Sequence, residues 1–209
     1  MLDIKGAFDH ATHRSITTAL RDKSCPTHLV DIITSYLSDR SAVFLINQTV
    51  NEANISRGCP QGSVLSPFLW NVLADDVFSI ALPPGVEIRG FADDLSIACS
   101  SGSVTSISNC LQNACNAIIE WGAARCLTFS DQKSEAILFS RKRSADSTLN
   151  VSINNTPIRT LEQVKCLGVI LDRKLSWHPH IDAKCLAAKR AIQFLRSFAN
   201  KTWGRATTS

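Results

Sequence analysis

Val86-Glu87-Ile88-Arg89-Gly90-Phe91-Ala92-Asp93-Asp94-Leu95-Ser96-Ile97-Ala98-Cys99 sets two short runs rich in Val, Ile and Phe on either side of two adjacent carboxylates. Runs of this length and composition read as strands, and together they make a β-hairpin with acids at its tip. A surface turn would ordinarily place Asp beside Gly. Here the pair is held between apolar strands, so its self-repulsion and desolvation call for a cation, and a hard divalent ion with oxygen ligands meets that need. Two solvated turn aspartates are the other reading that this stretch allows by itself.

Working outward, the 209 residues are 44% hydrophobic and contain no run of eighteen apolar residues, so we expect a soluble protein of one or two domains and no membrane span. Eight cysteines show no CxxC pair and no regular framework. With no signal peptide ahead of them they read as the reduced thiols of an intracellular protein, cytoplasmic or nuclear, and they argue against zinc. Charge is unevenly spread: residues 1–100 carry 7 Lys and Arg against 11 Asp and Glu, net −4, whereas 101–209 carry 15 against 7, net +8. Acids gather where a metal would sit and bases where a polyanion would run.

The chain opens on Met1-Leu2-Asp3-Ile4-Lys5-Gly6, which reads as the end of a buried strand with no lead-in. We therefore expect coding sequence upstream and a frayed first strand. Helices are expected over His13–Lys23 and from Thr27, as N-cap, to Leu37, with Leu29, Ile32, Ile33 and Tyr36 as core contacts. Strands follow at Ala42–Asn47 and Val50–Ser56. A Gly/Pro-punctuated loop, Arg57–Pro67, leads into a helix over Leu65–Ala81 whose Leu69, Val72, Leu73, Val77 and Ile80 face a sheet. Its Asp75-Asp76 is a rival acid pair, but helix neighbours diverge by about 100°, so we read it as a surface or packing pair. A helix from Ser103 to Trp121-Gly122, a turn and strand through Thr128–Phe139, strands near Leu149–Ile153 and Val164–Leu171, and a basic amphipathic helix over His178–Asn200 complete the pattern. Arg141-Lys142-Arg143 is a basic loop whose sign suits nucleic acid.

Asp3 followed by Phe8, then Gly58-Cys59-Pro60-Gln61-Gly62-Ser63-Val64-Leu65-Ser66-Pro67, Phe91-Ala92-Asp93-Asp94, Lys133 and Leu167-Gly168-Val169 follow the order and spacing of successive polymerase palm motifs. Over residues 1 to about 180 the chain resembles the reverse transcriptase of non-LTR, LINE-like retrotransposons, nearest to the jockey-like and I-like groups. The resemblance implies an α+β fold, a right-hand polymerase palm with an antiparallel sheet backed by helices. Residues 1–172 would be the palm, truncated at its N-terminus and lacking the fingers lead-in, and 173–209 the start of a thumb or connection helix, with most of the thumb absent.

The same resemblance implies RNA-directed DNA polymerase chemistry: an RNA template, a DNA primer and deoxynucleoside triphosphates. It makes Asp3 and Asp93 bridging metal ligands, with Asp94 in support, around Mg²⁺, for which Mn²⁺ could substitute. Carboxylates so clustered should have raised pKa values without the metals. Phe8 would lie under the incoming sugar and exclude a 2′-hydroxyl, Gln61 and Gly62 would contact template and nucleotide, and Lys133 would stand beside the phosphates. Leu167 and Gly168 would form the hairpin that grips the primer end. Phe8 as a core aromatic, Lys133 as a surface lysine and Gly168 as a strand glycine are the plainer alternatives. Two function classes follow, a polymerase module inactive as this fragment and a non-catalytic nucleic-acid-binding relic. Intact acids favour the first, and Phe8 with the Gln61 loop speaks against a viral RNA polymerase or an intron maturase.

Overall fold

The computed structural model describes residues 1–140 and 148–198; the basic triplet at 141–143 and the end of the last expected helix lie outside them. In chain order the elements are β1 (Leu2–Ile4), α1 (Ala7–His10), α2 (His13–Asp22), α3 (Thr27–Leu37), β2 (Arg40–Ile46), β3 (Thr49–Ile55) and α4 (Leu65–Ala74). After them come β4 (Val86–Phe91), β5 (Asp94–Cys99), α5 (Val104–Ala124), β6 (Phe129–Ser130), β7 (Glu135–Ala136), β8 (Ser152–Ile153), β9 (Thr156–Pro157), β10 (Arg159–Thr160), β11 (Gln163–Cys166), β12 (Val169–Asp172) and α6 (His178–Phe198). They fall into two compact units, one of Met1–Ala136 with Thr148–Arg159, the other of the remaining described residues.

The first unit is organised by a four-stranded antiparallel sheet of order β4-β5-β1-β6. Side chains alternate across it. Leu2, Ile4, Leu95 and Ile88 turn to the side where Ile118 and Trp121 of α5 are buried, each aliphatic chain contributing about 1.5–3 kcal/mol by leaving water. Asp3 and Asp94 turn to the other face. Gly122 lets α5 approach, because a Cβ there would meet the Phe129 ring at 2.7 Å. On α4, Leu69, Trp70 and Leu73 are all but inaccessible.

The first strand is not frayed. It pairs with β5 on one side and β6 on the other, and the terminal amine donates to the Glu135 carbonyl at 2.7 Å. The partners lie some 90 and 130 residues downstream, so the opening residues gave no sign of them. Three further expectations change. Pro26, not Thr27, caps α3, and the buried residues of that helix are Val30 and Leu37, whereas Leu29 and Ile32 are exposed; α3 is apolar on more than one face, so its periodicity did not choose. The helix after the Gly/Pro loop is α-helical only to Ala74 and continues as a 3₁₀ turn over Asp75–Ser79, ending ahead of Pro83-Pro84, through which a helix does not run. Finally, 164–171 is two strands. Leu167 and Gly168 both have positive φ, 47° and 82°, and close a two-residue hairpin between β11 and β12.

Asn47-Gln48 and Asn154-Asn155 close the β2–β3 and β8–β9 hairpins in the same way. In the second unit α6 is anchored to β12 by His180, whose Nδ1 accepts the Ile170 N–H at 3.2 Å. No helix of the described residues is long and apolar enough to cross a membrane. All eight cysteines are free thiols, and burial pushes Cys59 and Cys115 up to about 11.

Candidate active site

The ladder gathers the three expected acids. Asp3 lies directly across from Asp94, and partners in register share a face of the sheet. Phe91 also pairs with Asp94, leaving Ala92 and Asp93 as the two-residue tip. Burial first, then the charges of Asp93 and Asp3, raise the Asp94 carboxyl above its ordinary value. Asp3 Oδ2 is buried and accepts no hydrogen bond; its nearest cation is Lys133, with Nζ 4.0 Å away. Lys133 is three-quarters exposed, so this contact is weak compensation. Among the described residues no three His, Cys, Asp or Glu side chains close into a ready-made metal cage. What the sheet provides is carboxylates in excess of their cations.

Asp75 and Asp76 differ in that respect. Asp75 is paired with Lys23, and Asp76 is paired with Arg125 and accepts the Trp121 indole N–H at 2.9 Å. The rival pair is neutralised within the fold, as a packing pair should be.

Asp3 is held from behind. Its N–H donates to Ser134 Oγ at 3.2 Å, and the Ser134 hydroxyl donates to the Ser130 carbonyl at 2.5 Å. Ser134 is fully buried. The turn that ties Ser130 to Ser134 also presents Lys133, so the segment that fixes Asp3 delivers its cation.

Phe8 lies on the single turn α1, which the periodicity did not reveal, half-buried against Trp70 with ring centroids 5.4 Å apart and planes at 34°. The Gly58 loop is threaded against this turn. Gly58 N–H and Cys59 N–H donate to the carbonyls of Ala11 and Phe8, both at 2.7 Å. Gly58 has φ +92°, and a Cβ there would come within 3.0–3.1 Å of the Phe8 and Asp9 backbone, so glycine is required. Gln61 Nε2 donates to Asp9 Oδ1 at 2.8 Å, and Gly62, with φ +84°, faces open space. Ser66 Oγ closes the loop on the Pro60 carbonyl at 2.6 Å. Leu167 and Gly168 lie at the β11–β12 turn of the second unit.

Trp70 was not singled out in the sequence. Beyond meeting Phe8, its indole N–H donates to the Ala92 carbonyl at 2.8 Å. The available signal was general, since a Trp on a buried helix face needs a partner for its N–H. Ser134 was equally silent, because its partners are backbone groups that only the fold brings near.

Comparison with known proteins meets this geometry. A family model described as "Reverse transcriptase (RNA-dependent DNA polymerase)" matches residues 1–171. The retrovirus-related Pol polyprotein from type-1 retrotransposable element R1 of Bradysia coprophila is 27% identical over 97% of this chain and 20% of that protein. The probable RNA-directed DNA polymerase from transposon BS of Drosophila melanogaster is 26% identical over 96% of this chain and 23% of its own length. The RNA-directed DNA polymerase from mobile element jockey of Drosophila melanogaster is 29% identical over 86% and 20%. The chain thus spans about a fifth of the length of these relatives. With the family model matched from the first residue through β12, this chain belongs to the reverse transcriptase family, among proteins of non-LTR retrotransposons.

Proposed function

We propose that this chain is the palm of an RNA-directed DNA polymerase, a nucleotidyltransferase module of a LINE-like element in which Asp3, Asp93 and Asp94 hold divalent metal at the tip of the β4–β5 hairpin. The observation that carries the reading is the register that sets Asp3 across from Asp94 and beside the Asp93 turn with one Asp3 oxygen buried and unbonded. Such a donor set, all oxygen and short of positive charge, suits Mg²⁺, or Mn²⁺ in its place. When bound, divalent ions would stabilise the charge that develops on the attacking and leaving oxygens of an in-line phosphoryl transfer.

The other roles belong to the chain's own residues. In the reaction the primer 3′-oxygen bonds to the α-phosphorus of a deoxynucleoside triphosphate as the bond to the departing pyrophosphate breaks. Lys133, exposed beside Asp3, would neutralise or protonate that pyrophosphate. Phe8, braced by Trp70, would occupy the space a 2′-hydroxyl needs. Gln61, fixed to Asp9, and Gly62, on an open face, would meet template and nucleotide. Leu167-Gly168 would meet the primer end. A non-catalytic nucleic-acid-binding relic is the competing reading, and the unneutralised acids weigh against it, since a protein that only binds a polyanion gains nothing from them.

The test is primer extension on poly(rA)/oligo(dT) by a jockey polymerase in which residues 1–171 replace the matching stretch. Extension with dTTP that disappears in Asp3→Ala and Asp93→Ala and persists in Asp75→Ala is expected. Equal activity of Asp93→Ala and the parent would overturn the reading.

A further inference from the structure

We propose that Trp70 is a positioning residue for the metal-binding acids, holding the tip of the β4–β5 hairpin through one hydrogen bond. The inference rests on the reading of Asp3, Asp93 and Asp94 as metal ligands and adds a residue that this reading does not contain.

Ala92, the first residue of the tip, has φ +51°. This is the left-handed region, which an L-residue with a Cβ adopts at a cost and glycine adopts freely. The next residue is Asp93, so any relaxation of Ala92 swings the Asp93 backbone and its carboxylate. β4 is the edge of the sheet, and the tip projects past the last ladder pair, Phe91 with Asp94. The ladder fixes the two ends of this turn and leaves the Ala92–Asp93 peptide between them.

Trp70 restrains that peptide. The residue is 1% exposed and sits on α4 between buried Leu69 and Leu73, so its ring has one place to be. Its Nε1–H reaches out of that packing to the Ala92 carbonyl at 2.8 Å. The bond holds the Ala92–Asp93 peptide plane from the buried side while the acids face outward. The same ring packs against Phe8, so one side chain sets the distance between the residue expected under the sugar and the tip carrying the acid. Phenylalanine at 70 would keep a single aromatic ring, and would lose the donor together with the second ring of the indole.

The experiment uses the whole chain and Mn²⁺ alone as probe, with free ion counted by electron paramagnetic resonance. Trp70→Phe is expected to weaken Mn²⁺ binding roughly three- to tenfold, the range one lost hydrogen bond spans, and also to lower the thermal midpoint, because the smaller ring leaves a fully buried site underfilled. Trp70→Phe/Ala92→Gly is expected to regain part of that loss, because glycine adopts the positive φ without the Cβ penalty that the lost bond had offset. A purely structural Trp70 would show no recovery of Mn²⁺ affinity in Trp70→Phe/Ala92→Gly, whatever the midpoints do. Unchanged Mn²⁺ affinity in Trp70→Phe, with affinity lost in Asp93→Ala, overturns the role of Trp70 alone. Unchanged affinity in Asp93→Ala overturns the metal reading and this proposal together. If Trp70→Phe does not fold, indole hydrogen exchange in the unmodified chain decides. The Trp70 N–H should exchange as slowly as that of Trp121, which is bonded to Asp76, and far more slowly than that of half-exposed Trp177; exchange at the Trp177 rate overturns the proposal.

Discussion

Asp94 carries the residue-scale signature of the site. Its folded-state pKa is raised by burial and by Asp93 and Asp3, so the folded chain binds a proton more tightly there than the unfolded chain does. The stabilisation that goes with that proton is complete below the ordinary carboxylate range and is lost as pH rises through the raised value. In chelator, Asp94→Asn should therefore melt above the unmodified chain at about pH 7, with the gap closing at about pH 3. A gap independent of pH would mean that Asp94 feels no excess negative charge. Phe8 gives a second test at this scale: in the jockey chimera Phe8→Val should raise ribonucleotide relative to deoxynucleotide incorporation by roughly tenfold or more, read on one primer-template with each triphosphate. An unchanged ratio would leave Phe8 a core partner of Trp70 and nothing else. In the sequence the paired acids of the tip were read from residue type between two strands, whereas Asp3 and Phe8 were singled out only through the family resemblance. Trp70 was not, because its role depends on a carbonyl 22 residues away.

At the scale of elements, the hairpin around Ala92-Asp93 was readable because β-rich runs flank a turn, whereas the β11–β12 hairpin came from the family resemblance and not from the pattern. Val164–Leu171 reads as one apolar strand until Leu167 is seen at positive φ beside Gly168. The position of β1 was also unreadable, since its neighbours come from distant segments of the chain. What secures β1 is Ser134, fully buried between the Asp3 N–H and the Ser130 carbonyl. Ser134→Ala leaves two backbone groups without that partner and should destabilise the first unit by about 1–3 kcal/mol. Urea unfolding measures it, and a loss near zero would show that β1 needs no such tie. The exposed β2–β3 hairpin, with Val43, Leu45 and Val50 open to solvent, shows the limit of pattern reading: composition marked the strands and could not say whether anything covers them.

At the scale of the molecule, charge is divided as the proposed chemistry requires, with net −4 in the half that bears the acids and net +8 in the other. Binding of an RNA–DNA hybrid by the chain should accordingly weaken steeply as salt rises, with a log–log slope set by the number of phosphates contacted; a flat salt dependence would remove the basic half from the interface. Residues 1–209 alone are expected to give no extension above an Asp93→Ala blank, because among the described residues the cation paired with Asp3 is the solvent-screened Lys133, too little for a triphosphate, and extension above that blank would mean that this chain suffices. The catalytic expectations depend on metal gathering at the hairpin tip. The most direct measurement is anomalous scattering from a crystal of the chain soaked in Mn²⁺. The expected result is a peak between the carboxylates of Asp3 and Asp93 that vanishes in Asp93→Ala; a peak at Asp75-Asp76, or density at the tip that survives Asp93→Ala, would contradict the assignment of these acids as the metal site.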